Sequence, residues 1–366
     1  MKSEVCIVGG GPAGLAAALA LAQSGREVTV LDCARPPIDK ACGEGLLPDS
    51  LAALNKLGVA LTGLGADLRG IRFLGAQAQV SSDFPNGTGK GLRRVLLHEQ
   101  LMARAEQMGV RLLWGVKNVT TERGCVRFSG GQIETKLIVG ADGQKSSVRK
   151  QAGLDQFKTE KRRFGFRRHY ALAPWSQYVE VYWGDCFQIY VTPVSENQVG
   201  VALLSSHPHL RLQSAIGRTP ALAQKLAGAD PTTAELGSLS VSRRLRRVSC
   251  DGYVLLGDAS GSVDAITGEG MCLAFRQSEA LVNALNARDM RLYQLAHEKI
   301  AARPLRMAAL LLLLGRNQAL RRKALHALAA HPKIFSSLLA AHVGHKPLAD
   351  VLSWQLLSFG WGALLA

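Results

Sequence analysis

EVCIVGGGPAGLAAALALAQSGREVTVLD, Glu4 to Asp32, is the stretch from which the fold is read. Val5 to Val8 is an apolar run of strand length, and Gly9, Gly10, Gly11, Pro12, Ala13 and Gly14 follow it directly. An Ala- and Leu-rich helix then runs to about Ser24, and Gly25 stops it before a second β-branched run, Val28 to Leu31, ended by Asp32. The order is strand, glycine turn, helix, strand. In a dinucleotide site Gly9 permits the tight turn, Gly11 brings bare backbone to a pyrophosphate, and Gly14 lets the helix pack closely on the strand. The phosphates then rest on the N–H groups of the helix opened by Pro12 and Ala13. A carboxylate about 18 residues beyond the last glycine accepts from adenosine ribose hydroxyls and repels a 2′-phosphate. The tightly held ligand expected is therefore FAD or NAD, not NADP.

The chain has 366 residues, 47% of them hydrophobic, enough for two closely packed domains around a large core, which excludes a disordered polypeptide. A net charge of +16 points to anionic company: phospholipid headgroups, an acidic carrier protein, nucleic acid, or a phosphorylated cosubstrate. Cys6, Cys33, Cys42, Cys125, Cys186, Cys250 and Cys272 are scattered, odd in number and without a CxxC pair. That argues against a disulfide frame or a metal site and for a reducing cytoplasm. The first strand begins so near Met1 that no signal peptide is expected before it.

Arg35 to Ser50, RPPIDKACGEGLLPDS, reads as a proline-bounded loop entering a helix, and its two glycines admit something flat beside Cys42 and Gly43. Two short strands are expected within Ile71 to Val80, a flexible tip at Gly87 to Gly91, and a helix over Leu92 to Met108 with Arg93 and Arg94 at its start. Cations there oppose the helix dipole, which suits an anion held by at least one of them. Val110 to Trp114, Val116 to Thr121, Cys125 to Phe128 and Lys136 to Val139 read as further strands. Two more strand-to-glycine turns follow: IVGADGQKSSVRK, with Asp142 and Gly143, and YVLLGDASGSVDAITGEGM, with Asp258, Gly268, Gly270 and Met271. Asp258 suits a polyol chain, Asp142 suits a turn, and Gly270 sets another helix N-terminus toward a ligand.

With these residues the chain resembles the FAD-dependent oxidoreductases of the p-hydroxybenzoate hydroxylase fold, over about Met1 to Leu295. GGGPAG with Asp32 resembles their adenosine fingerprint, DGQKSSVR their DG signature and GDAS their GD signature. The resemblance implies an α/β fold: a Rossmann-like FAD-binding domain with an inserted mixed β-sheet substrate domain and a helical C-terminal region. The boundaries expected are 1–70, 92–155 and 248–290 for the first, 71–91 and 156–247 for the second, and 291–366 for the third. FAD contacts are implied at Gly9, Gly11, Pro12, Ala13, Gly14, Asp32, Cys33, Cys42, Gly43, Arg94, Val119, Asp142, Gly143, Asp258, Gly268, Gly270 and Met271, with NAD(P)H as a transient cosubstrate. KACGEGL and TGEG are closer to the geranylgeranyl reductase form than to the hydroxylases, and the two tryptophans of the halogenases are missing near Tyr190 to Pro193.

The substrate half reads as strands over Phe164 to Leu172, Tyr178 to Trp183, Phe187 to Val191 and Val199 to Leu204. Arg162, Arg163, Arg167 and Arg168 interleave with aromatic residues there, which reads more simply as the cations of an edge strand than as a nucleic-acid platform. His169, Tyr190 and Cys42 are the candidates for proton transfer. Met290 to Ala366 reads as helical and leucine-rich, with runs too short to span a bilayer. They suit a lid, a dimer face, or a peripheral contact with lipid. Two reactions stay open. The leading one is NAD(P)H-dependent hydroxylation of an apolar aromatic, polyketide or lipid-like substrate; the other is reduction of isoprenoid or lipid double bonds.

Overall fold

The computed structural model describes residues 1–347, which fold around two large sheets. The first has a parallel core in the order Tyr253–Leu255, Gly131–Gly140, Lys2–Val8, Val28–Asp32, Arg111–Trp114. Lys2–Val8 lies at its centre, with Val5 level with Leu137 on one side and Val28 on the other. That position explains its composition, because a strand covered on both faces needs an unbroken apolar run, and Val5, Cys6, Ile7 and Val8 are all buried. Parallel strands bring their carboxyl ends to one edge, where the glycine turns of all three signatures meet.

Ten helices surround the sheets among the described residues: α1 (Pro12–Gln23), α2 (Pro48–Lys56), α3 (Arg94–Gln107), α4 (Ser147–Gln151), α5 (Leu212–Gly217), α6 (Pro220–Lys225), α7 (Gly270–Asn286), α8 (Met290–Arg316), α9 (Gln318–Ala330) and α10 (Pro332–His342). α1 is buried between the first sheet and α7, which explains why it is alanine-rich and not amphipathic. The segment after Trp114 is not the strand expected from Val116. Gly115 and Asn118 have φ of 72° and 54°, and pairing resumes only at Thr120–Glu122. Nor is Gly87 to Gly91 a free tip. Gly89–Gly91 is a strand between Gly45–Leu46 and Ala66–Leu68, and a Cβ on Gly91 would stand 1.7 Å from the Pro193 carbonyl oxygen.

The second sheet is built on the 15-residue strand Phe157–Ala171, paired with Leu236–Leu245 on one side and Gln198–Ser205 on the other. Phe187–Ser195, Tyr178–Trp183, Gly70–Leu74 and Gln79–Asp83 extend it. The arginine-rich strand is therefore interior, not an edge. Its cations are tolerated because the buried ones are paired: Arg163 donates to Asp264 at 3.1 Å and Gln188 at 2.6 Å, and Arg167 to Asp39 at 2.5 Å. Arg163 and Arg167 do not reach solvent, so these two add nothing to a basic surface.

The C-terminal helices close the structure. Tyr293 of α8, fully buried, donates to the Leu255 carbonyl at 2.7 Å, and α9 and α10 pack Leu325, Leu328, Ile334 and Phe335 against Val80. The last leucine-rich run, WQLLSFGWGALLA, lies outside the described residues. None of the described helices is long and apolar enough to cross a membrane.

His297 of α8 meets Ser260 at 2.8 Å, and burial lowers its pKa from 6.5 to about 4, so the native protein holds a neutral ring. The folded pKa lies below the unfolded one. Its contribution is thus complete above about pH 6.5 and is lost as the pH falls toward about 4. In scanning calorimetry from about pH 7 to pH 5, His297→Gln should start with a lower Tm than the parent yet lose less of it with acid. Parallel acid dependence in the two proteins would remove His297 from the account.

Candidate functional site

A cavity of about 1310 Å³ runs from the first glycine turn to α10. Its walls carry Gly9, Gly11, Pro12, Ala13, Asp32, Cys33, Cys42, Gly43, Arg94, Val119, Asp142, Gly143, Asp258, Gly268, Gly270, Met271 and Tyr190. Gly14 and His169 are not on the wall.

The glycines divide into two kinds. Gly9 has a φ of 111°, and a Cβ there would lie 2.3 Å from the Ala141 oxygen; on Gly14 it would lie 1.8 Å from the Gly9 oxygen. These two let backbone pack on backbone. At Gly11, Gly43, Gly143, Gly268 and Gly270 an added Cβ would meet nothing within 4 Å. Gly143 and Gly268 have φ of 77° and 71°, which favours glycine by itself, whereas Gly11, Gly43 and Gly270 have neither a close neighbour nor a positive φ and leave open a cradle that side chains would fill. It fits a diphosphate carrying a flat ring, because the N-termini of α1 and α7 border it and supply free N–H groups.

Each acidic group has a defined local task. Asp32 accepts from the Gly10 N–H at 2.6 Å and the Ala34 N–H at 2.8 Å, which fixes the first turn and leaves lone pairs toward the cavity. His98 reinforces that turn from α3 through Nε2, 2.8 Å from the Gly10 carbonyl, and burial lowers its pKa, so a neutral ring donates there. Asp142 caps α4, accepting from the Ser147 N–H at 2.7 Å and the Val148 N–H at 3.2 Å. Arg149, buried, ties the second signature to the third: it donates to Gln144 O at 3.0 Å, Ala259 O at 3.1 Å and Asp155 at 2.6 Å. Lys40 stands 3.3 Å from Asp258.

The loop from Lys40 to Gly45 is held by Glu44, which the sequence reading passed over. Its backbone has a φ of 57°, and its buried carboxylate accepts from the Arg94 N–H at 2.9 Å, giving the start of α3 an anion. The other oxygen lies 2.5 Å from His169 Nε2. Arg167 Nη1 points at His169 Nδ1 at 3.0 Å, and a guanidinium only donates, so Nδ1 accepts and Nε2 carries the hydrogen. His169 is thus locked behind Glu44. Thr192 donates to Gly43 O at 2.8 Å, anchoring the same loop to the second sheet. A glutamate between two cavity-facing glycines was the available signal.

The far end is apolar. Phe73 stands edge-on to Trp183 and against Phe335, with Leu311, Leu314 and Leu338 completing the wall. Tyr190 donates to the Ile266 carbonyl at 3.1 Å, and burial pushes its phenol well above the usual range.

Residues 2–288 match the family described as FAD binding domain. The chain belongs to that family. It is an FAD-dependent oxidoreductase, as its relatives are. It is 27% identical over 322 residues to the menaquinone reductase of Mycobacterium tuberculosis, covering 79% of this chain and 78% of that protein. With the digeranylgeranylglycerophospholipid reductase 1 of Methanopyrus kandleri it shares 27% over 306 residues, 74% of this chain and 77% of the other. The 6-methylpretetramide 4-monooxygenase of Streptomyces rimosus is 26% identical over 334 residues, 79% and 77% of the two chains. Among solved structures, a flavoprotein/dehydrogenase from Cytophaga hutchinsonii superposes with a TM-score of 0.83 at 18% identity, over 100% of this chain and 99% of that one.

The two kinds of glycine give a direct test. Gly11→Val fills open space at an ordinary φ of −71°, so this flavoprotein should fold with an unchanged melting temperature yet lose FAD, with affinity down at least about 100-fold. Gly14→Ala, driven into backbone, should instead cost on the order of 2–4 kcal/mol of stability. Absorbance of the purified proteins and apoprotein melting curves read the two effects separately. Full FAD content in Gly11→Val would detach that turn from the pyrophosphate.

Proposed function

We propose that this flavoprotein reduces carbon–carbon double bonds of an isoprenoid or similarly lipid-like substrate, with NAD(P)H as the donor of reducing equivalents. FAD, once bound and reduced, supplies the hydride. The seventeen residues expected to contact it are proposed to do so, all but Gly14 from the cavity wall. The cofactor unit is proposed to comprise 1–70, 92–155 and 248–290, the substrate unit 71–91 and 156–247, and the cap the helices from 291.

The observation that carries the reading is the character of the far end of the cavity. A hydroxylase must orient a phenol or ketone with polar groups of its own, because site selectivity depends on holding one ring carbon in place. Here the wall is mainly aliphatic and aromatic, with Thr192, Thr267 and His342 among its few polar members, and Tyr190, its phenol, is already committed to Ile266. Such a surface rewards a long apolar chain. The two reductases named above, and the GEG sequences at 43–45 and 268–270, support the same choice. Aromatic hydroxylation is the second reading, favoured by the Phe73, Trp183 and Phe335 cluster and by the monooxygenase relative.

The chain's own surface suits a lipid-borne substrate. Leu310 lines the cavity and is 40% exposed, so the cavity opens on the outer face of α8 beside Leu313, 53% exposed. Arg306, Arg316, Arg322 and Lys323 are exposed along α8 and α9. Leucine at the mouth and cations around it match peripheral docking on an anionic bilayer, which also accounts for part of the +16 charge.

Reduction of the yellow protein by NADH or NADPH under anaerobic conditions, then addition of geranylgeraniol, separates the readings. Return of the flavin colour with a product two hydrogens heavier is the expected result. Recolouring that requires oxygen, with transfer of an oxygen atom to an aromatic probe, would establish the hydroxylase instead.

A further inference from the structure

The cavity wall has a third section, which holds none of the seventeen expected FAD contacts and no part of the leucine end. It is formed where the second signature meets the long strand of the second sheet. Gln144 and Lys145 come from the signature, Arg162 from Phe157–Ala171, and Ser238, Leu239 and Ser240 from Leu236–Leu245. Lys145, Arg162 and Leu239 are all exposed, which makes this section a mouth of the cavity.

The cations of this mouth are set in place by one carboxylate. Glu160 Oε1 accepts from Arg162 Nε at 3.0 Å and Nη2 at 2.8 Å, and its Oε2 accepts from Arg243 Nε at 3.2 Å and Nη2 at 3.0 Å. Arg243 is only 12% exposed and places its remaining nitrogen on the Gln144 carbonyl at 2.7 Å. That carbonyl also accepts from Arg149, so the backbone next to Lys145 is tied to the sheet. Asp142 turns its Oδ2 to the start of α4. Two guanidiniums thus share one carboxylate, and Lys145 adds a further positive charge. Among the described residues nothing accepts from Lys145 Nζ or from Arg162 Nη1. An ammonium and a guanidinium nitrogen left without acceptors, side by side on a wall of net positive charge, suit a ligand group with several anionic oxygens, which is a phosphate.

We propose that Lys145 and Arg162 hold a phosphate group at a site separate from the cradle of the FAD diphosphate, and that this group is the head of the isoprenoid substrate, whose chain follows the apolar wall inward. The inference rests on the double-bond reduction proposed above. Two molecules could bring such a phosphate, the isoprenoid and the nicotinamide cosubstrate, and the wall behind the cations favours the first. Leu239 stands between the two serines, and Val241 follows them on the same strand. Ser262 pairs with Arg243, and beyond it Val263 and Ile266 pack with Met307 and Leu311 of α8. The diphosphate of a nicotinamide nucleotide is flanked by ribose hydroxyls, which this surface would leave unpaired, whereas the phosphate of an isoprenoid is followed directly by hydrocarbon. A head held at the mouth sets the register of the chain along the cavity, as positioning of a double bond at the flavin requires. Arg243 and Glu160 act as positioning residues, because their polar atoms are spent on each other, on Gln144 and on Arg162.

The test compares FAD-loaded parent, Lys145→Gln and Arg162→Gln, two substitutions at exposed side chains. Oxidised protein is titrated with geranylgeranyl diphosphate and with geranylgeraniol, followed by the flavin spectrum, so the affinities need no turnover. The parent should hold the diphosphate at least about 10-fold more tightly than the alcohol, with the difference shrinking at high salt. Each variant should lose about 10-fold in affinity for the diphosphate and much less for the alcohol. A parent that does not distinguish the two ligands, or variants that keep its preference, would overturn the phosphate site. Loss of FAD from either variant would give the cations to the diphosphate of the cofactor and overturn the separate site. Weaker NADPH binding in the variants, with the preference for geranylgeranyl diphosphate intact, would give the site to the cosubstrate and overturn its assignment to the isoprenoid. Failure of the reduced parent to recolour with either isoprenoid would instead count against the reductase reading, while the titrations still decide the phosphate site.

Discussion

Everything at the cofactor end depends on backbone meeting backbone where α1 crosses the ends of the central strands. Gly14 sits where a Cβ would be 1.8 Å from the Gly9 oxygen, and Gly9 where it would be 2.3 Å from the Ala141 oxygen. This contact draws Lys2–Val8, Gly131–Gly140 and the start of α1 into one narrow seam. Asp32 and His98 then hold Gly10 from two sides, through its N–H and its carbonyl. These ties lie within the chain itself, which lowers the ordering cost left to binding.

The same device appears twice more, with a charged group added. Gly43-Glu44-Gly45 and Gly268-Glu269-Gly270 both present bare glycine backbone to the cavity, while the glutamate between turns away into the protein. Glu44 gathers the start of α3 and the central strand of the second sheet; Glu269 gathers α8 and α10. Burying a carboxylate is costly unless its partners are in place. Each GEG loop therefore reaches its shape only when distant elements have docked, which couples the cradle for the ring to assembly of the whole molecule.

Legibility followed the range of the interactions. The first turn was readable because a β-branched strand, six residues of turn and an alanine-rich helix are contiguous, and local sterics dictate them. The α/β architecture followed from three such turns, and sixteen of the residues expected to contact FAD line the cavity. The arginine-rich strand was misplaced at an edge because the pairing of Arg163 with Asp264 spans 101 residues, and nothing beside Arg163 announces it. Gly89–Gly91 was taken for a tip for a similar reason: its glycines answer to Leu46 and Pro193, contacts that no local pattern encodes. His342 was invisible. It lies in a helix of ordinary composition, and only the fold sets it against Glu269.

The cap helices are set against the cofactor end by polar contacts and not by leucine packing alone. Polar ties hold the cap helices at fixed distance from the flavin loops: Tyr293 on Leu255, His297 on Ser260, Arg303 on Glu269 and His342 on Thr267. These lie along α8 and α10, so both helices are tied at polar residues while Met307, Leu311, Leu314, Leu338 and Leu339 line the cavity. α8 also carries Pro304 inside the helix, next to Arg303, where the missing N–H favours a bend. The cavity therefore lies between a seam of polar ties and the leucines of the same helices.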